Sequence, residues 1–149
     1  MALLIIAACS GTGKSTLVKE LLVRHSRLRL SVSHTTRLSR PGEVDGVAYH
    51  FIEREFFEQK IATGDFVEWA EYAGNLYGTS RTMIEEAEAK GLDLLFEVEV
   101  QGAEALKETY PHALSCFIFP PSWMELESRL RGRMTETEAS IQKRLNTSR

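Results

Sequence analysis

One stretch constrains the fold of this chain more than any other: Ala8-Cys9-Ser10-Gly11-Thr12-Gly13-Lys14-Ser15-Thr16, between the apolar run at 3–6 and a helix-periodic segment at 17–25. A buried strand, a Gly-rich loop ending in Gly-Lys-Ser-Thr and a helix together form a phosphate-binding loop. Gly11 and Gly13 carry no Cβ, so the backbone can curl and aim successive N–H groups into one concavity. The helix adds its unpaired N-terminal donors and the positive end of its dipole. Lys14 supplies a mobile charge for β- and γ-phosphates, and Ser15 a hydroxyl for Mg²⁺. Ala8 stands where the pattern begins with Gly, which requires that residue to stay at negative φ, still essentially strand. The alternative is a strand-to-helix turn that binds nothing, in which Lys followed by Ser-Thr has no structural purpose.

The bulk properties narrow the field. A chain of 149 residues fits one domain, large enough to bury roughly 70% of its unfolded surface. With 43% hydrophobic and 26% charged residues it has the composition of a globular protein. A formal net charge of -3 argues against general nucleic-acid binding but allows a local basic pocket. Cys9 and Cys116 lack metal-ligand spacing and the four histidines are scattered, so no zinc site is legible. Ile6-Ala7-Ala8-Cys9 imitates a lipoprotein cleavage box, yet no basic segment precedes it and cleavage would cut into the phosphate loop. No transmembrane span is present, so no membrane partner, a cytoplasmic location and reduced thiols are expected.

Along the chain, 17–25 has the spacing of a helix facing a sheet and 28–33 alternates as a short strand. Residues 33–43 are polar and turn-rich; 47–51 has strand character and 53–62 reads as a helix closed near Gly64. Residues 66–72 alternate as a strand with one buried face, turn at Gly74-Asn75 and return through 76–79. Residues 33–80 therefore predict a small β-rich insert. A helix at 81–90, a strand at 92–100, a helix at 103–108 and a strand at 113–119 follow. Ser122 with Glu125 and Thr135 with Glu138 form capping boxes, the second opening a helix toward residue 146. Strands alternating with helices predict an α/β fold with a parallel sheet.

Several constellations suit chemistry. Arg37 and Arg40, beside Ser33, Thr35 and Thr36, offer two guanidinium forks to a phosphate dianion, each charged bond contributing roughly 1.5–3 kcal/mol; alternatively they are solvated surface arginines. Tyr49 and Tyr77 could add phenolic donors or simply pack. A carboxylate held in a pocket at Glu68 would accept from guanine N1–H and N2–H₂, whereas adenine N1 would face it with a lone pair. Ser33 and Thr79 hydroxyls could complete recognition at O6, and such pairing can discriminate by on the order of 10⁴. An outward-facing Glu68 on an edge strand is the alternative. Glu97 and Glu99 close the strand at 92–100, on one face by alternation, where Mg²⁺ and its waters would sit; otherwise they are solvated carboxylates. Arg129, Arg131, Arg133, Lys143 and Arg144 form either a solvated basic helix or a lid carrying arginines onto a transferring phosphoryl group.

Taken together, these residues resemble the guanylate kinase family. The similarity lies in Ser33-His34-Thr35-Thr36-Arg37, Arg40-Pro41-Gly42-Glu43, Gly46, Tyr49, the 66–72 strand, Gly74-Asn75, Tyr77-Gly78-Thr79, Val100-Gln101-Gly102-Ala103, Phe119-Pro120-Pro121-Ser122 and Arg129-Leu130-Arg131-Gly132-Arg133. It covers essentially the whole chain in order. The resemblance implies a P-loop NTPase core (1–32 and 81–129), a GMP-binding insert (33–80) and a helical lid (130–146). It implies transfer of the γ-phosphoryl of ATP to GMP, and to dGMP, with Mg²⁺.

On this sequence the resemblance implies that residues 8–16 bind ATP and that Ser15 holds Mg²⁺, with Glu97 or Glu99 acting through water. Arg37, Arg40, Tyr49 and Tyr77 would hold the GMP phosphate, and Ser33, Glu68 and Thr79 would read guanine. Glu43, Glu97 and Glu99 would lie near the metal waters and the ribose; Lys14, Arg37, Arg129, Arg133 and Arg144 would stabilise the transition state.

The departures are Cys9 for Pro, Glu99 for Asp and Met134 for Gly beside the lid arginine. Family members also continue past the lid with another strand and helix. Without these, 115–119 is expected to be an unprotected apolar edge, the mark of a fragment or of a surface shielded in a dimer or larger oligomer. The rival readings are a catalytically impaired truncated kinase and a guanylate-kinase-like module that binds a phosphopeptide in the GMP pocket.

Overall fold

A computed structural model describes residues 1–9, 11–132, 138, 141, 142 and 145. In chain order the elements are β1 (Leu3–Ala8), α1 (Lys14–Arg24), β2 (Leu28–Ser31), β3 (His34–Thr35), β4 (His50–Phe51), α2 (Arg54–Ala62), β5 (Phe66–Tyr72), β6 (Asn75–Ser80), α3 (Arg81–Ala89), β7 (Asp93–Val98), α4 (Val100–Thr109), β8 (Leu114–Ile118) and α5 (Trp123–Arg131).

The four strands of the first sheet run parallel in the order β2-β7-β1-β8. β1 lies inside and is apolar along its length because both its faces are covered. On one side Leu3 and Ile5 pack with Leu94, Phe96, Ile84, Ala87 and Leu106; on the other Ile6 packs with Leu95 and Val18 of α1. Each buried Leu, Ile, Val or Phe among these contributes about 1.5–3 kcal/mol. Because the strands are parallel, the carboxyl ends of β1 and β7 emerge side by side, Ala7 in register with Val98. A loop leaving one strand therefore faces a loop leaving the other.

The second sheet has the order β4-β3-β6-β5. β6 runs antiparallel to β3 and β5, and β3 pairs parallel with β4. Phe57 of α2 closes its apolar face with Phe66 and Leu76. Gly78 is required there: a Cβ would stand 2.9 Å from the Phe57 ring. A register shift between Phe66 and Glu68 sets two residues of β5 against one of β6 and brings Glu68 opposite Thr79.

The structure redraws several boundaries. The strand predicted over 28–33 ends at Ser31, and His34–Thr35 belongs to the second sheet. The 47–51 strand shrinks to His50–Phe51, with one isolated bridge between Asp45 and Tyr49. β7 stops at Val98, so Glu99 is the N-cap of α4 and does not close the strand with Glu97. Backbone that feeds the site leaves the regular ladder early.

Ser122 Oγ accepts from Glu125 N at 3.1 Å, while the Glu125 carboxylate accepts from Arg129 Nε. The capping box is thus half made. The expected cap at Thr135, together with Met134 and most of the expected lid at 130–146, lies outside the described residues. Of that segment, Ile141 and Leu145 are buried with Leu126 and Leu130, against Cys9 and Trp123. Among the described residues β8 lies at the edge of the first sheet, with Leu114 68% and Phe117 38% exposed. Among the described residues, no helix is long and apolar enough to cross a membrane.

Candidate active site

Ala8 ends β1 as a fully buried strand residue, which meets the negative-φ requirement set by the missing first glycine. The chain then turns through Gly11 (φ 97°) and Gly13 (φ 95°), a left-handed conformation open to glycine at little cost. Thr12 N and Oγ1 both donate to Cys9 O, at 3.4 and 3.0 Å, and close the loop. Gly13 is the N-cap of α1, so Lys14, Ser15 and Thr16 form its first turn rather than the loop expected from sequence. Hydrophobic periodicity starts only where α1 meets the sheet. The first turn faces a cleft instead, so its residues carry no periodic signal.

Two bonds tie this turn to β7. Lys14 Nζ donates to Val98 O at 2.8 Å, and Ser15 Oγ donates to Glu97 Oε1 at 2.6 Å. Ser15 and Glu97 are hard oxygen donors side by side, a set suited to Mg²⁺ held mainly by phosphate and water. Among the described residues no group of three or more His, Cys, Asp or Glu could hold a metal by itself.

Across the cleft, Arg37 is gripped from several directions. Its Nη2 donates to Glu43 Oε1 at 2.9 Å, its Nη1 to Leu38 O at 2.7 Å, and its backbone N to Thr35 Oγ1. The guanidinium carbon lies 5.3 Å from the Tyr49 ring centre and 5.6 Å from that of Phe51. Glu43 Oε2 also accepts from Arg40 N at 2.7 Å. Burial pushes the Glu43 pKa up, but its bonds to Arg37 and Arg40 outweigh that and hold it below the usual range. This carboxylate therefore grips the arginine loop, whereas the resemblance implies a place near metal waters and ribose. Tyr49 and Tyr77 meet edge to face at 5.9 Å. Burial first, then Glu97 and Tyr77, raise the Tyr49 pKa to about 12, so its phenol remains a donor.

Glu68 is 7% exposed and Thr79 is fully buried. Thr79 Oγ1 donates to Glu68 Oε1 at 2.5 Å. Burial raises the Glu68 pKa to about 7, outweighing the Thr79 hydrogen bonds. The outward-facing alternative for Glu68 is excluded.

All these groups meet in one cleft of about 510 Å³, lined from one side by Cys9, Gly11 and Gly13 to Thr16 and from the other by Ser33, Arg37, Arg40, Glu43, Tyr49, Glu68 and Tyr77. Glu97 and Glu99 lie on its wall, Glu99 in spite of its different backbone setting. Ala8, Thr12 and Thr79 do not line it; they are buried behind it. Arg129 is turned to the back of the phosphate loop, donating to Thr12 O at 3.2 Å and to Glu125. Ser10, Arg133 and Arg144 lie outside the described residues. Sequence reasoning missed Phe51, whose ring centre lies 5.9 Å from that of Tyr49, and Gly102, which lines the cleft.

A Gly-rich loop at the carboxyl edge of a parallel sheet, facing basic and aromatic side chains of a second sheet across one cleft, defines a P-loop α/β protein. A family model described as guanylate kinase matches residues 1–149. The chain is 49% identical to the guanylate kinase of Clostridioides difficile (strain 630), over 97% of this chain and 70% of that one. It is 50% identical to that of Vibrio vulnificus (strain YJ016), over 96% and 70%. A crystal structure of guanylate kinase from Anaplasma phagocytophilum superposes with a TM-score of 0.76 at 31% identity, covering 99% of this chain and 84% of that one. The chain belongs to the guanylate kinase family.

Proposed function

We propose that this chain transfers the γ-phosphoryl group of ATP to GMP, and by the same contacts to dGMP, giving ADP and the nucleoside diphosphate. The observation that carries this is the single cleft in which Lys14 and the turn after Gly13 face Arg37, Arg40 and Glu68. The backbone N–H groups at the start of α1 and the Lys14 ammonium receive the β- and γ-phosphates, Lys14 exchanging Val98 O for phosphate oxygen. Mg²⁺, when bound, neutralises phosphate charge, with Ser15 Oγ as a direct ligand and Glu97 acting through water.

On the acceptor side, Arg37 and Arg40 with the Tyr49 and Tyr77 hydroxyls hold the GMP phosphate. Glu68 accepts from guanine N1–H and N2–H₂, with Ser33 and Thr79 supporting it. Glu43 positions Arg37 through their ion pair and fixes the arginine loop through Arg40 N. An oxygen of the GMP phosphate attacks the γ-phosphorus, and the bond to the β-phosphate oxygen breaks with its electron pair leaving on ADP. That nucleophile is already anionic, so no protein base is needed and catalysis is positioning plus charge stabilisation. Arg129 braces the phosphate loop through Thr12 O.

The test is a coupled ADP-release assay with each purine monophosphate. Turnover with GMP, and at least on the order of 10³-fold less with AMP, is expected. ADP formation with AMP and not with GMP would contradict the substrate assignment. GMP binding without turnover would favour the binding-module reading.

A further inference from the structure

Gly102 sits in the first turn of α4, after the N-cap Glu99, in ordinary helical territory and not at positive φ. Alanine would be the better helix former there, so the backbone gives no reason for glycine. The reason is room. A Cβ at Gly102 would stand 3.3 Å from Glu68 Oε2 and 3.3 Å from Val98 Cβ. Val98 is buried at the end of β7 and in register with Ala7, so it cannot retreat. The carboxylate would have to move, and it is held on its other side by the Thr79 hydroxyl at 2.5 Å. α4 is thus a backstop whose missing methyl sets where Glu68 rests.

We infer that Gly102 is a positioning residue for base selection: it gives the Glu68 carboxylate the space to meet the N1 and N2 donors of guanine, so it determines preference for a 2-aminopurine monophosphate. The inference rests on the proposal that Glu68 reads the base. Gly102 neither touches the phosphates nor adds a charge; it acts only through Glu68.

The experiment compares Gly102→Ala, Glu68→Gln and the double variant with GMP and with IMP, which lacks only the 2-amino group. For Gly102→Ala the KM for GMP is expected to rise about tenfold, with kcat and the KM for ATP within about twofold of the parent and the preference for GMP over IMP reduced. In the Glu68→Gln background the same change is expected to add less than about twofold, because the group it positions is gone. Equal rises for GMP and IMP, or effects that simply multiply, would overturn the inference while leaving the Glu68 proposal intact. Unchanged base preference in Glu68→Gln would overturn that proposal, and the inference with it. If Gly102→Ala fails to bind an ATP analogue, Glu68→Asp/Gly102→Ala is the second variant, its carboxylate drawn back by one methylene. Its folding and binding the analogue supports the inference; its failure places the clash at Val98 and overturns it.

Discussion

The donor side of the cleft takes its shape from backbone, whereas the acceptor side takes it from side chains. Between Ala8 and Thr16 the binding surface is a turn with two left-handed glycines and the first turn of a helix, and its charged side chain rests on Val98 O. On the acceptor side the groups arrive from Ser33, the 36–49 loop, β5 and β6, and the two central ones are held by other side chains: Arg37 by Glu43 and two rings, Glu68 by Thr79. A backbone cradle is contiguous and tolerates most neighbours. A side-chain cradle is assembled over long sequence distance and depends on every partner.

The contrast breaks first at Lys14. Lys14→Ala is expected to lower turnover by about 10²–10³-fold, with GMP affinity by calorimetry unchanged; a matching loss of GMP affinity would mean the two sides are not separate. Next, GMP binding is expected to carry a pH dependence, beyond the titration of the phosphates themselves, that ATP-analogue binding lacks. Below about 7 the Glu68 carboxyl is protonated and offers one acceptor fewer, so the KM for GMP is expected to rise about tenfold per unit as pH falls below that value. Glu68→Gln should flatten this profile. Stability runs the other way. Glu68 holds its proton when folded and sheds it when unfolded between the usual 4.5 and about 7. Its contribution is therefore complete below 4.5 and lost by about 7, which denaturant melts of the GMP-free protein would register.

Glu43→Ala is expected to raise the KM for GMP by about tenfold while leaving the KM for ATP alone, since it frees Arg37 and the Arg40 backbone together. The smallest expected effect is at Phe51. Phe51→Leu removes one face of the stack on Arg37 and should raise the KM for GMP by about two- to fivefold, with Phe51→Tyr close to the parent.

This asymmetry also governs what could be read from sequence. The donor loop was legible in one contiguous stretch, because its chemistry is carried by spacing and by glycines. The parallel core was legible too, since β1, β7 and β8 are apolar runs between helices. The acceptor side was legible only residue by residue, with a surface alternative for the arginines and Glu68 and a packing alternative for the tyrosines. Register settles it: one extra residue at 66–68 places Glu68 opposite Thr79. Short strands such as β3 and β4 carry no periodicity to detect. Phe51 entered only as the end of the 47–51 segment and Gly102 only within the 100–103 motif ahead of the predicted helix, because both matter only through the side chains they touch across the fold.

The central claim is that one cleft holds a triphosphate and a guanine monophosphate end to end. Calorimetry with adenosine and guanosine joined through five phosphates tests it directly. The expected result is one molecule bound per chain, at least on the order of 10²-fold tighter than ATP or GMP alone, and weakened by both Lys14→Ala and Glu68→Gln. Affinity no better than that of the tighter half, or sensitivity to only one of those substitutions, would contradict the account.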